Sequence, residues 1–226
     1  MRLSLRGGRN ILERFAGAAG AAVLASALAV FSSPAAAMTF QESPASDACG
    51  SRPCILASGL IDKHSVGEFD AFVRKNKPAP GATVALNSEG GVLIFGLELG
   101  QHIRQNGFST TVPGSGFAPD APPPGECASA CVFTFMGGVQ RSVGKGARVG
   151  VHQIYSDTQA RDSLSVSDAQ YLTSLVALQI DRMGGRLGIL ILALRTSPNN
   201  IHWFSATELS GLGVVTAARY VVALAN

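Results

Sequence analysis

Charged side chains are scarce in this chain, and no excess of positive charge remains once its N-terminus is set aside. Aspartate, glutamate, lysine and arginine make up 15% of the 226 residues, and the formal net charge is +3. Residues 1–37 carry four arginines and one glutamate, which leaves 14 basic and 14 acidic residues in the rest. A neutral chain without a basic stripe lacks the electrostatic footprint of nucleic-acid binding. We therefore predict no nucleic-acid partner.

Metal-binding motifs are also missing from the sequence. Its cysteines, histidines and acidic residues do not fall into the spacings that hold a metal ion. We accordingly predict no metal and no other cofactor. Three of the four histidines fall in helical or loop contexts without evident partners, and we expect them at the surface: His64, His102 and His202.

The N-terminus has the form of a secretory signal peptide. Its positive region contains four arginines: Arg2, Arg6, Arg9 and Arg14. An alanine-rich apolar segment over 16–31 follows, and Ala35-Ala36-Ala37 supplies a small-residue cleavage site. We expect residues 1–37 to be removed on export, which leaves a periplasmic protein without a membrane anchor. A retained anchor is the alternative, because the apolar run is just short of the length that spans a bilayer.

Two regions follow the signal segment. Residues 38–54 are polar and contain serine and proline, so we predict a flexible lead-in. Residues 55–226 are long enough for one domain with a sizeable apolar core. A Pro-rich stretch over 113–126 interrupts this domain. Two roles for the stretch stay open: a lid that limits substrate size, and a solvated loop without a role.

An exported chain is allowed disulfides, and four cysteines permit three pairings. Cys54 stands at the start of the first predicted strand, over 55–61, whereas Cys127 should lie at the opposite edge of the sheet, where strands end. A strand of about six or seven residues separates those edges by roughly 20 Å, which is too far for a disulfide. This favours Cys49–Cys54 and leaves Cys127 to pair with Cys131. Free buried cysteines around the serine between them are the alternative.

Strand and helix patterns alternate along the chain. Strands are predicted over 55–61, 83–86 and 107–112, with helices between them, and a long helical region over about 165–194, bent near Gly184. This alternation predicts an α/β fold with helices packed on a mostly parallel sheet. In such sheets the groups that act on a ligand collect at the carboxyl ends of strands.

Ser129 is the candidate nucleophile. It stands in Cys127-Ala-Ser-Ala-Cys131, between two alanines. A serine between small residues can sit on a tight strand-to-helix turn with its hydroxyl exposed. The N–H group of Ala130 then lies at a helix N-terminus, where it can bind an oxyanion. The alternative is a small serine in a packed turn without a chemical role.

Two other segments fit the same chemistry. His152 ends an apolar run over 147–151 and is placed to take a proton from a serine. Gly90 and Gly91 end another apolar run and are a second source of N–H groups for an oxyanion. Together with Ser129 they predict nucleophilic acyl transfer. His152 could instead be a core histidine that donates to a carbonyl.

These segments resemble sequence blocks of the ClpP protease subunit, within the wider ClpP/crotonase superfamily. Residues 87–91 with Gly96 resemble its N-S-P-G-G…G segment, 128–130 its nucleophile turn, 141–153 its R…R-V-x-I-H-Q block and 204–215 its F-x-S-A-x-E-A…G-L-V ending. The resemblance runs from about residue 55 to residue 216. It implies a single ClpP-like domain of repeated ββα units over 55–226, and a serine hydrolase, most simply a peptidase, that acts on peptides or unfolded segments and can form a homo-oligomer.

The family's acidic third residue has no counterpart here. The corresponding stretch over 195–201 contains no carboxylate, and Ser197 stands at the acid's place. Three residues there could orient His152 through a hydroxyl or an amide: Ser197, Asn199 and Asn200. None can stabilise a positively charged imidazole, and losing the acid cost about 10⁴ in turnover in one serine protease.

Two classes of function therefore stay open. The first is a hydrolase with Ser129 as nucleophile and His152 as base. The second is a ClpP-fold binding or assembly module that has lost its activity. A Ser–Lys hydrolase with Lys145 is disfavoured, because that lysine stands between Gly144 and Gly146 in a turn that we expect to be exposed.

Overall fold

Strands and helices alternate along the described part of the chain. The structure, a computed structural model, describes residues 36–44, 49, 52–115, 123–155 and 165–216. Its elements are β1 (Thr39–Ser43), β2 (Cys54–Ser58), α1 (Ser65–Asn76), β3 (Thr83–Asn87), α2 (Leu93–Gln105), β4 (Ser109–Val112), β5 (Glu126–Ala128), α3 (Ala130–Met136), β6 (Arg141–Val143), β7 (Arg148–Val151), α4 (Val166–Arg182), α5 (Gly188–Arg195), β8 (His202–Trp203) and α6 (Ala206–Gly211). The predicted signal segment lies outside the described residues apart from Ala36 and Ala37, and so does the centre of the Pro-rich stretch.

A five-stranded sheet lies at the centre of the fold, in the order β1-β2-β3-β4-β6. The strands β2, β3, β4 and β6 run parallel to one another, and the edge strand β1 is antiparallel to β2. Buried side chains of the helices complete the core, among them Phe69 of α1, Leu99 of α2 and Ile180 of α4. This arrangement confirms the predicted α/β class with a mostly parallel, helix-covered sheet.

A second, three-stranded sheet in the order β5-β7-β8 joins the first at Ser88. The Ser88 N–H donates to the Glu126 carbonyl at 2.8 Å, and the Ala128 N–H donates to the Ser88 carbonyl at 3.0 Å. The residue that follows β3 therefore lies beside β5, which is itself parallel to β7. The carboxyl ends of β3, β5 and β7 consequently meet at one edge.

The predicted flexible lead-in over 38–54 is wrong in its first part, because Thr39–Ser43 form the edge strand β1. The Phe40 ring packs against Phe69 with ring centroids 5.4 Å apart, and the preceding Met38 is buried. The partner strand begins only at Cys54 and is needed to pair the backbone. A short polar segment with one aromatic residue gives little sign of that pairing.

Close contact between α2 and α3 fixes where α3 begins. A β-carbon on Gly96 of α2 would lie 2.7 Å from the Ala130 carbonyl oxygen, so only glycine allows this approach. The Thr134 hydroxyl of α3 donates to the Gly96 carbonyl at 2.9 Å. Because α2 follows the glycine pair and α3 follows Ser129, this contact holds the two turns in register.

The C-terminal part departs in one respect from the single bent helix that the pattern predicts. The helix α4 starts with a capping box between Ser165 and Asp168. Gly184 then adopts a φ of 73°, and the chain resumes as the separate helix α5. A left-handed residue cannot continue an α-helix, and glycine adopts this conformation without a steric penalty.

Arg141 ties β6 to the end of the described chain. Its buried guanidinium donates to the main-chain carbonyl oxygens of Met136, Gly138, Gly213 and Val214. Burial, with a smaller contribution from the charge of Arg104, lowers the pKa of Arg141 to about 10. Four acceptors compensate much of the cost of burying this charge.

In the described part of the chain, no helix is both long and apolar enough to span a membrane.

Candidate active site

Ser129 occupies a strained turn between β5 and α3, with φ 57° and ψ −125°. Among the described residues other than glycine, only Lys77 shares a positive φ, and it caps the end of α1. Such a conformation costs about 1–3 kcal/mol and persists only where the surroundings impose it. A strained strand-to-helix turn of this kind exposes the nucleophile in many serine hydrolases.

Neighbouring backbone and a disulfide hold this turn. The Ser129 N–H donates to the Gly150 carbonyl of β7 at 2.9 Å, and the Ser129 carbonyl accepts from the Val132 N–H at 3.1 Å. Cys127 and Cys131 form a disulfide across the turn, with Cα atoms 5.2 Å apart, and both are fully buried. The turn is therefore restrained on both sides of the serine.

The glycine pair lies directly against the serine turn. A β-carbon on Gly90 would lie 2.8 Å from Ser129 Cβ and 2.7 Å from the Ala128 carbonyl oxygen. Gly90 and Gly91 also have φ values of 109° and 134°, which side chains disfavour. The close approach and the backbone conformation both require glycine at residue 90.

The three predicted oxyanion donors differ in what they already bind. The Gly90 N–H donates to the Ser88 hydroxyl at 3.1 Å. Within the described residues, the N–H groups of Gly91 and Ala130 have no acceptor. The N–H groups of Gly91 and Ala130 therefore stay the candidates for binding a ligand oxygen.

His152 follows β7, the strand beside the one that ends at the serine. Ala128 pairs with Gly150 in parallel register, so Ser129 and His152 leave adjacent strands at the same edge. Both side chains are half-buried. In the part of the chain that the structure describes, no hydrogen bond joins the serine hydroxyl to the imidazole. Such contacts are often long in unliganded enzymes and tighten with substrate.

The protonation of the His152 ring follows from its partner. Its Nδ1 lies 2.7 Å from the main-chain carbonyl oxygen of Gln153. A carbonyl oxygen can only accept, so Nδ1 carries the proton in the neutral ring and Nε2 keeps its lone pair. Nε2 is therefore the nitrogen that can act as a base.

Comparison with known proteins bears on the fold alone. The chain matches no protein-family model and no curated protein. A mutant of the 1510-N membrane-bound stomatin-specific protease, solved with a substrate peptide, is similar over 72% of this chain and 74% of that chain, with a TM-score of 0.52 and 15% identity. The chain has a ClpP-like fold. The ClpP catalytic domain from Plasmodium falciparum covers 69% of this chain and 78% of its own, with a TM-score of 0.49 and 16% identity.

The predicted orienting residues lie in the segment between α5 and β8 of the ClpP-like fold. There the Asn200 N–H donates to the Ser197 carbonyl at 2.9 Å. No hydrogen bond from the side chains of Ser197, Asn199 or Asn200 reaches the His152 ring within the described ranges. Their role as orienters stays a prediction. Lys145 is exposed in the turn between β6 and β7.

Two histidines that we expected at the surface without partners have carboxylate partners. His102 Nδ1 of α2 lies 2.9 Å from Asp70 of α1, and His202 Nε2 of β8 lies 3.0 Å from Glu208 of α6. The first pair joins separate helices, which no sequence spacing reveals. The second had a local signal, because Ser205 and Glu208 form a capping box. Donation from the Ser205 N–H lowers the pKa of Glu208.

The end of the Pro-rich stretch lines a cleft at the carboxyl end of β3. This cleft of about 400 Å³ is bounded by Asn87, Ser88 and Glu89 on one side and by Pro123 and Pro124 on another. The Gly125 N–H donates to the Pro113 carbonyl at 2.7 Å and closes the base of the stretch.

Among the described residues, no group of histidine, cysteine and acidic side chains is arranged to hold a metal ion.

Replacing Gly90 with alanine should damage both the fold and the site. The new β-carbon would overlap the serine turn, and we expect a loss of about 3 kcal/mol in the free energy of unfolding from strain and overpacking. Gly81→Ala is the matched control, because Gly81 has a φ of 75° with no atom near its missing β-carbon. It should cost about 1 kcal/mol. Urea denaturation of both variants measures the difference, and equal losses would contradict the packing described here.

The disulfide at the serine turn should matter locally. We expect the Cys127→Ala/Cys131→Ala variant to react more slowly with a fluorophosphonate probe, because the strained backbone loses its clamp. The Cys49→Ala/Cys54→Ala variant should react at the wild-type rate, because that disulfide, with Cα atoms 5.3 Å apart, lies at the start of β2. Both bonds close short loops, so each adds modest stability. Equal rates of probe labelling in the two variants would contradict a local role for the Cys127–Cys131 disulfide.

Proposed function

We propose that this chain is a periplasmic peptidase of the serine type. The observation that carries the proposal is the positive φ of Ser129 in a turn against which Gly90 packs without a side chain. A strained, non-glycine residue needs a reason to persist, and exposure of a nucleophile is such a reason. His152 at the neighbouring strand end is the candidate base.

The reaction would follow the pattern of acyl transfer by serine hydrolases. Ser129 Oγ attacks the carbonyl carbon of a peptide bond while His152 Nε2 takes the hydroxyl proton. The carbonyl oxygen becomes negative, and the N–H groups of Gly91 and Ala130 bind it. The imidazole then gives its proton to the leaving amine, and a water molecule releases the acyl group by the same steps in reverse. Occupation of the Gly90 N–H by Ser88 favours Gly91 over Gly90 as the first donor.

The substrate class rests on the fold. The similar stomatin-specific protease was solved with a substrate peptide. On that basis, we propose peptides or unfolded segments as the substrates of this chain.

The decisive test is covalent labelling of the mature protein with a fluorophosphonate probe. Wild-type protein and the control Ser174→Ala, on the exposed face of α4, should be labelled. Ser129→Ala should not, because the attacking oxygen is gone. His152→Ala should be slower by about 10²–10⁴-fold, the usual contribution of a general base. Labelling of Ser129→Ala as strong as that of the wild type would exclude this serine as the nucleophile.

A non-catalytic binding or assembly module is the second candidate. The observation that favours it is the neutral carbonyl at His152 Nδ1, since a carbonyl carries no full charge to stabilise a protonated ring. Wild-type protein that resists labelling and still binds peptides reversibly would support this function. The labelling experiment therefore distinguishes the two candidate functions.

Export is part of the proposal. The N-terminal pattern supports a signal peptide, and the two disulfides suit an oxidising compartment. Cleavage after Ala37 would leave Met38 as the first residue. Its side chain is buried and its nitrogen donates to the Leu60 carbonyl at 2.8 Å, a bond that a terminal ammonium can keep.

We expect N-terminal sequencing of the periplasmic fraction to begin at Met38. Ala37→Asp should block processing, because a charged residue does not fit the small-residue position before the cut. Ala36→Asp is the matched control and should be processed, since the middle position of the A-x-A pattern is not specified. A mature chain that still carries residues 1–37 would support the membrane-anchor alternative.

A further inference from the structure

The His152 ring is held by main chain where the ClpP-like pattern has a carboxylate. The Nδ1 atom lies 2.7 Å from the carbonyl oxygen of the very next residue, Gln153. That oxygen belongs to the peptide that joins Gln153 to Ile154, so this peptide is turned back toward the ring. Whatever fixes that peptide also fixes the ring.

Gln153 is anchored twice to the end of α5. Its N–H donates to the Thr196 carbonyl at 2.9 Å, and its side-chain Nε2 donates to the Leu194 carbonyl at 2.6 Å. The last carbonyls of a helix lack intrahelical partners and accept such donors readily. The anchor itself is ordered, because the Thr196 hydroxyl donates to the Leu192 carbonyl at 2.8 Å.

We propose that Gln153 is the positioning residue that takes over the orienting role of the missing acid. Its two anchors, at the N–H and at the side chain, hold residue 153 at the end of α5 and so restrict where its carbonyl oxygen lies. That oxygen holds the Nδ1–H tautomer of His152, with Nε2 available as a base. This inference rests on the proposed function. It also explains how His152 is oriented without a carboxylate. Gln153 supplies the orientation and the tautomer of the ring, but it does not stabilise a positive charge on the ring.

Gln153→Glu is the sharpest test variant. It preserves the length of the side chain, removes the N–H donor and places a negative charge against the Leu194 carbonyl. The maximal rate of labelling by the fluorophosphonate probe should fall about tenfold to a hundredfold, by analogy with the loss of partners that orient metal-bound histidines. The probe concentration for half-maximal rate should not change, because Gln153 does not touch the probe. Gln41→Glu on the exposed strand β1 is the control for charge.

A second measurement reads the ring directly and needs no activity. The ¹⁵N spectrum of His152 in the wild type should show a protonated Nδ1 and an unprotonated Nε2. Gln153→Glu should shift the ring toward a mixture of both tautomers. Gln153→Lys, which keeps an N–H donor on a long stem, should restore part of the wild-type signal and part of the labelling rate.

The outcomes separate this inference from the proposed function. One outcome is a wild-type protein that is never labelled but shows the Nδ1–H tautomer, with that tautomer lost in Gln153→Glu. This outcome would contradict the peptidase and support the positioning role. Labelled wild type with an unchanged rate and tautomer in Gln153→Glu would overturn the inference alone. A slower Gln153→Glu whose tautomer is unchanged would also overturn it, since the loss would then be merely structural.

Discussion

The edge of the sheet that carries the candidate site depends on one constraint, the strained backbone of Ser129. A non-glycine residue at φ 57° is kept in place by hydrogen bonds to β7 and α3 and by a disulfide across the turn. Gly90 packs against it so closely that no side chain fits between them. The cost of the strain is offset by this surrounding structure, which is why neighbouring segments converge on a single residue.

The same constraint links the two sheets. Ser88 pairs with β5 through its main chain and binds the Gly90 N–H through its hydroxyl. The glycines of α2 let α3 approach closely, and α3 begins directly after Ser129. Movement of any one of these elements would displace the turn. The carboxyl ends of β3, β5 and β7 therefore form one rigid edge, and the half-buried histidine stands beside it.

The support of His152 decides what kind of chemistry this edge can perform. A carboxylate fixes the ring and stabilises its positive charge, whereas a carbonyl oxygen does only the first. Gln153, whose carbonyl oxygen is this partner, is itself bonded to the end of α5 through its N–H and its side chain. Under the proposed function this arrangement would give slow acyl transfer, and under the second candidate it would only bind peptides; the difference between them lies in the charge that develops on the ring.

The sequence by itself determined the α/β class, the first buried strands with the helices between them, and the short segments that lie at the carboxyl ends of β3, β5 and β7. Hydrophobic periodicity, glycine turns and a serine between alanines are local signals, and local signals can be read along a chain. The tertiary structure alone decided the pairing of β1, the carboxylate partners of His102 and His202, and the occupation of the Gly90 N–H. It also decided that the ring of His152 is held by Gln153, where sequence reasoning had looked to residues 197–200. These contacts depend on the orientation of single peptides and on residues far apart in sequence, and no spacing pattern encodes either.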